Sequence, residues 1–234
     1  MVVYDRGDSA GARVAEFDDA ITWIAHPNEE AKRASHAIRT DEGVWVIDPI
    51  DAPGIDEAIE DLGAVVGVAV LTCWHARDAG VLARRHDVAV HVPEWLDRIE
   101  ERVEAPVERY ALAPGTRESG FHTIPCRPFP RWQEAFLYHE PSATLVAPDS
   151  LGTSDLHLVG EERLGLAFFR RLQPPRQLAG LEPDRILVGH GEPIADDAAG
   201  ALDSALTGTR RTFPTALLEN GPDSLRSIVS VLRG

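Results

Sequence analysis

The sequence is poor in cysteine, lysine, aromatic residues and long apolar runs, and each shortage excludes something. Its 234 residues include two cysteines, Cys73 and Cys126, so no framework of disulfides holds it together, although a single bridge stays open. Lys32 is the only lysine, and every other basic residue is arginine. Aromatic residues make up 6% and there is one methionine, which leaves Val, Ile, Leu and Ala to build a core. No apolar stretch reaches the roughly 18 residues of a membrane span; the longest runs from Ala64 to Leu71. The first residues show no basic flank followed by an apolar core, so the expectation is a cytoplasmic protein without a secretory signal.

What is present points to a folded chain. It is 44% hydrophobic and 26% charged, which argues against disorder, collagen-like repeats and coiled coils. Asp and Glu number 38 against 23 Lys and Arg, for a net charge of −15. Such a surface repels nucleic-acid phosphates and anionic membranes, so neither is an expected partner. Acid excess with arginine in place of lysine fits either a halophilic setting, where salt screens self-repulsion, or a GC-rich genome. No repeat or Gly/Ser linker divides the chain. One domain over residues 1–234 is expected, mainly helical from about 195, where helices would serve either packing or homo-oligomer formation.

Short Val/Ile-rich runs predict strands at 20–24, 35–39, 44–47, 65–71, 88–91, 121–124, 135–138, 144–147 and 185–188. Periodicity predicts helices at 55–62, 76–85, 93–103, 161–171, 196–206 and 224–232. Three of the strands end in chemistry. After 65–71 comes Thr72-Cys-Trp-His75-Ala-Arg77-Asp78, in which Cys73 and His75 project to the same side if the chain stays extended. Thiolate and imidazole form half a zinc site, although taken alone a buried free cysteine and a hydrogen-bonded histidine are the commoner explanation of such a pair. Asp78 is also placed to favour the dipole of a following helix. The run 144–147 leads to Asp149, and 185–188 leads to Gly189-His190-Gly191, where glycines let the backbone turn sharply. The Arg127-Pro-Phe-Pro-Arg131-Trp132 loop either lines a pocket for an anionic substrate with two guanidiniums or simply wraps the surface. Trp74 reads as core, and His91, His139 and His157 have no partner spacing.

The order of these segments resembles the metallo-β-lactamase fold superfamily over roughly residues 33–200. Ser35-His-Ala-Ile-Arg39 and Gly43-Val-Trp-Val-Ile-Asp48-Pro resemble its early strand pair, and Thr72 to Gly80 falls where the family has Thr-His-x-His-x-Asp-His-x-Gly. Ala147-Pro-Asp149-Ser-Leu resembles the strand that supplies a bridging carboxylate, and Val188-Gly-His190-Gly resembles the motif of the last histidine. The departures are that Cys73 stands at the first histidine, Arg77 at the aspartate and Asp78 at the following histidine. Cys126 falls on the remaining histidine position, with His122 as its rival.

The resemblance implies an α/β (α+β) fold, a four-layer αββα sandwich, with the site on one edge of the paired sheets. It implies a set of Cys73, His75, Cys126 and Asp149 for one zinc ion, with Asp78 or His190 carrying protons. Arg77 would repel a second metal and pair with Asp149 or Asp78, and Arg77, Arg127 and Arg131 would bind substrate. The implied function is hydrolase-like, on a small polar ester or thioester-type substrate. The alternative is a metal-free binding or regulatory protein on the same fold, with the cysteines as buried thiols or a disulfide.

Overall fold

Val44, Trp45, Val46 and Ile47 are all buried, yet they face two different cores. Successive side chains of a strand point to opposite faces, so such an unbroken apolar run is what a sheet covered on both sides requires. The computed structural model describes residues 2–115 and 119–219. Its first sheet runs in the order β1 (Arg13–Glu16), β2 (Ala20–Ile24), β3 (Ala34–Thr40), β4 (Gly43–Ile47), β5 (Val65–Ala69), β6 (Val90–Pro93) and β7 (Val107–Tyr110). The first four strands pair antiparallel and the rest parallel. The second sheet contains β8 (Phe121–Phe129), β9 (Trp132–His139) and β10 (Thr144–Ala147). A small ladder of β11 (Leu151–Gly152) and β12 (Gly165–Leu166) follows, and β13 (Arg185–Val188) joins the second sheet beside β10, in parallel.

Three clusters of buried side chains define the layers. Ile38, Trp45 and Ile47 from the first sheet, with Leu71 just past the end of β5, meet Phe121, Leu137, Val146 and Leu187 from the second. The outer face of the first sheet packs Trp23, Val46 and Val68 on α1 (Ile55–Leu62) and α2 (Ala79–Arg85) through Ile55, Ile59 and Leu82. The outer face of the second packs Phe136, Leu145 and Ile186 on α3 (Ala198–Glu219) through Ala198, Ala201, Leu202 and Ala205. This is the expected four-layer αββα sandwich. Each large aliphatic side chain buried this way contributes about 1.5–3 kcal/mol.

Two expected helices are absent. In place of 93–103 there is a loop with one 3₁₀ turn, Glu100–Arg102. The carbonyls of Pro93, Glu94 and Leu96, which a helix would use internally, accept hydrogen bonds from Arg109 instead. In place of 161–171, Gly165 and Leu166 pair with β11, and a 3₁₀ turn at Phe168–Arg171 buries Arg170 and Arg171. The expected helix at 196–206 begins at Ala198 and continues to Glu219, with Pro214 inside it. The expected helix at 224–232 lies outside the described residues. The expected strands at 121–124 and 135–138 belong to one long hairpin, β8 and β9. No helix among the described residues is long and apolar enough to cross a membrane.

Candidate functional site

Four strand ends converge on one edge of the sandwich. β4 ends in Asp48, whose φ of 48° turns its carboxylate back across the end of β5. Its Oδ1 accepts the Leu71 N–H at 2.8 Å and its Oδ2 lies 2.8 Å from His75 Nδ1. β10 and β13 pair Ala147 with Val188, so Asp149 and His190 leave the sheet at the same end. Close approach at this end demands glycine. A Cβ on Gly189 would strike the Pro148 carbonyl, and Gly191 has a φ of 109°.

His75, Asp149 and His190 meet there, with their ligating atoms all within 4.8 Å of one another. Asp149 Oδ1 lies 3.0 Å from His75 Nε2 and 3.1 Å from His190 Nε2. Each imidazole is held from behind, His75 Nδ1 by Asp48 and His190 Nδ1 by the Ala31 carbonyl at 2.9 Å. When Nδ1 carries the proton, the Nε2 lone pair is free to face an electrophile, which is how metal-binding histidines are oriented. The second oxygen of Asp149, Oδ2, is buried and has no hydrogen-bond partner among the described residues. Two imidazole nitrogens and a carboxylate, one of its oxygens unclaimed, fit a divalent cation of the zinc type.

Charge is unevenly distributed over the three. Burial and Arg77 push the pKa of His75 down, but the carboxylates of Asp149 and Asp48 outweigh them and hold it above the usual value. Burial prevails at His190 and lowers its pKa despite Asp149. Burial opposes ionisation of Asp149, yet His75 and His190 keep its carboxyl well below the usual range. Arg77, at a φ of 37°, adds a guanidinium alongside. It donates to the carbonyls of Ala34 at 2.6 Å and Asp48 at 2.9 Å, and its Nη2 lies 3.0 Å from His75 Nε2. An ion at the triad would therefore displace one guanidinium hydrogen bond.

The structure brings together three of the sequence candidates, His75, Asp149 and His190, and leaves the cysteines out. The expected Cys73, His75, Cys126 and Asp149 set is thereby corrected. Both thiols are free, so the disulfide alternative is corrected as well. Cys73 Sγ donates to the Arg131 carbonyl at 3.6 Å, and burial pushes its pKa up. Cys126 Sγ accepts from Arg170 Nη2 at 3.4 Å, and burial together with Glu134 pushes its pKa up to about 12. His122 points away, exposed, toward Glu140 at 3.0 Å. Asp78 begins α2 and accepts the Asp51 N–H at 2.8 Å. With Arg77, Arg33, His26 and Arg85 it lines a groove of about 720 Å³. The expected pairing of Arg77 with Asp149 or Asp78 gives way to its hydrogen bonds with Ala34, Asp48 and His75. Arg127 and Arg131 are exposed on the β8–β9 hairpin, Arg127 over the Trp95 ring at 5.7 Å.

Sequence reasoning missed the groups that brace the triad. His157, stacked on His190 with ring centroids 5.5 Å apart, donates from Nε2 to the Asp149 carbonyl at 3.2 Å and accepts at Nδ1 from Ser154. Burial pushes its pKa down to about 3, so it is a neutral brace. Glu134 is fully buried, and its Oε2 accepts the N–H groups of Asp149 and Ser150 at 3.1 and 3.0 Å. Its Oε1 takes the Ser150 hydroxyl, which in turn accepts from Arg170 at 2.8 Å. Asp48 alone had a signal in the sequence, a carboxylate at a strand end like Asp149.

No protein-family model matches the sequence. No curated protein matches it either. Solved structures do. The DIM-1 metallo-β-lactamase exposed to ceftazidime superposes with a TM-score of 0.61 at 11% identity, over 90% of this chain and 100% of that one. FIM-1 from Pseudomonas aeruginosa, in a mono-zinc form, gives 0.55 at 10%, over 89% and 99%. TTHA1623 in a di-iron-bound form gives 0.52 at 18%, over 76% and 96%. At these identities the likeness is one of fold. With its two packed sheets, outer helices and strand-end triad, this chain has the fold of the metallo-β-lactamase superfamily.

Proposed function

We propose that the protein is a hydrolase-like enzyme that holds one zinc ion between His75, Asp149 and His190 and acts on a small polar ester or thioester. The observation that carries this reading is the convergence of two Nε2 atoms and a carboxylate within 4.8 Å, each imidazole oriented by an acceptor at Nδ1. A catalytic zinc keeps three protein ligands and an open position. Bound there, the ion would supply a Lewis acid for a carbonyl and lower the pKa of a water.

The chain's own residues would do the rest. Asp48 and the Ala31 carbonyl fix the histidine tautomers, and His157 and Glu134 fix the backbone of Asp149. Arg77 sets a permanent positive charge beside the triad, which disfavours a second cation and suits negative charge developing on a substrate oxygen. Asp78, which lines the same groove as Arg77, is assigned proton transfer. Arg127 and Arg131 are assigned an anionic end of the substrate.

A second reading, a metal-free binding protein, draws on the contact of Arg77 Nη2 with His75 Nε2 at 3.0 Å, which sets a fixed cation against one of the ligating atoms. Metal analysis after zinc incubation and dialysis separates the two. About one zinc per chain in the wild type and in Cys73→Ser, with loss in His190→Ala, is the expected result. Wild-type protein that emerges metal-free would leave the second reading standing.

A further inference from the structure

Two arginines follow one another in the 3₁₀ turn Phe168–Arg171, and both are buried, Arg170 with 2% and Arg171 with 1% of its surface exposed. Arg171 has an ordinary reason to be inside. Its guanidinium grips both oxygens of Glu162 at 2.8 and 2.7 Å and reaches the Thr212 hydroxyl on α3 at 2.8 Å. Arg170 forms no direct ion pair among the described residues; its side chain donates to Ser150 and to Cys126. An isolated buried guanidinium is costly, so its charge has to be answered from further off.

The answer is Glu134, one hydroxyl away. Arg170 Nε donates to Ser150 Oγ at 2.8 Å, and the Ser150 hydroxyl donates to Glu134 Oε1. Chemistry fixes the direction of both bonds. A guanidinium can only donate, so it takes a lone pair of Ser150 and leaves the hydroxyl proton to Glu134. With Oε1 claimed in this way, Oε2 is left for the N–H groups of Asp149 and Ser150, at 3.1 and 3.0 Å. Asp149 in turn sets Oδ1 between His75 Nε2 and His190 Nε2, at 3.0 and 3.1 Å. A continuous relay of hydrogen bonds thus runs from Arg170 to the main chain of the carboxylate at the centre of the triad.

We infer that Arg170 is a positioning residue of the site, acting through Ser150 and Glu134 to hold the main chain of Asp149 so that its carboxylate faces the two imidazoles. The part of this inference that concerns a bound ion rests on the zinc reading above; the part that concerns the Asp149 main chain does not. The relay also explains why residue 134 is an acid. Glutamine has one accepting oxygen, where the relay uses two.

Two measurements test it. In metal-free protein, amide hydrogen exchange at Asp149 and Ser150 is followed by NMR relative to Gly189, whose N–H bonds the Ala147 carbonyl and reports general loosening. Arg170→Met is expected to raise this ratio about tenfold, and Arg170→Lys, which keeps a donor for Ser150, to restore most of it. Zn²⁺ affinity is then read by competition with a chelating dye. Arg170→Met and Glu134→Gln are each expected to weaken it about tenfold, and the double variant no more than Glu134→Gln alone, because both changes break one relay. Cys126→Ala removes only the other contact of Arg170 and leaves both the ratio and the affinity at wild-type values. Should Arg170→Met fail to fold, Ser150→Ala interrupts the relay at its middle and takes its place in both measurements.

An unchanged exchange ratio in Arg170→Met, a Zn²⁺ affinity equal to that of wild type, or losses that simply add in the double variant would each overturn the proposal. Wild type that takes up no Zn²⁺ would sink the zinc reading, and the exchange ratio would still decide the role of Arg170.

Discussion

Arg77 Nη2 lies 3.0 Å from His75 Nε2, the atom that an ion at the triad must take. The guanidinium is thus both a neighbour and a competitor of any cation held by His75, Asp149 and His190. Arg77→Ala is expected to tighten Zn²⁺ binding by about tenfold, because one hydrogen bond and one like charge are removed together. The same change strips a donor from the Ala34 and Asp48 carbonyls and lowers the stability of the metal-free protein by about 1–3 kcal/mol. Competition with a chelating dye measures the first effect and urea denaturation the second. Weaker zinc binding in the variant would show that Arg77 supports the site rather than contests it.

Asp48→Asn probes orientation. The amide can still accept the Leu71 N–H through its oxygen, but it turns a donor toward His75 Nδ1. The histidine then carries its proton on Nε2 and loses the ligating lone pair. Zinc affinity should fall about 10–100-fold with little change in the far-ultraviolet circular dichroism. An unchanged affinity would remove Asp48 from the account of the site.

The two thiols provide a check on the corrected ligand set. Both are buried and protonated, so 5,5′-dithiobis(2-nitrobenzoate) should react slowly with the native protein and release two equivalents in denaturant. A disulfide would release none. Cys126→Ala removes an acceptor of the buried Arg170 and should cost about 1–3 kcal/mol, again without loss of zinc.

Acid should loosen the Glu29–Arg33 pair. Burial alone would raise the pKa of Glu29, but hydrogen bonds from Arg33 and from the Asp5 and Arg33 amides outweigh it and hold the carboxyl below its ordinary value of 4.5. A folded-state pKa below the unfolded one gives stability that is present above pH 4.5 and lost as the pH falls through the lowered value. Chemical denaturation as a function of pH should therefore show a loss in the wild type below pH 4.5 that is smaller in Glu29→Gln. Parallel curves would show that the pair contributes nothing.

His75, Asp149 and His190 were legible because each lies within a few residues of the end of a continuous apolar run, and two strands paired in parallel deliver their ends to one edge. Those runs also gave the strands and, through the motif order, the sandwich. The cysteines misled because spacing along the chain was read as spacing in the site. Cys126 stands opposite Glu134 in the β8–β9 ladder, and its sulfur is taken by Arg170, 44 residues further on. Glu134 and His157 carry no local signal, since each acts through a partner distant in sequence. The segments 93–103 and 161–171 have helical composition, but Arg109 and the β11–β12 ladder compete for their backbone groups more effectively than a helix does.

The backbone at Arg77 adopts a φ of 37°, a left-handed conformation that costs an ordinary side chain about 1–2 kcal/mol and that Asp and Asn accept more readily. Arginine is retained at a position whose geometry favours an acid. Arg77→Asp would relieve the main chain and exchange a cation for an anion in one codon, so this scaffold offers a short route for engineering a centre of higher metal stoichiometry.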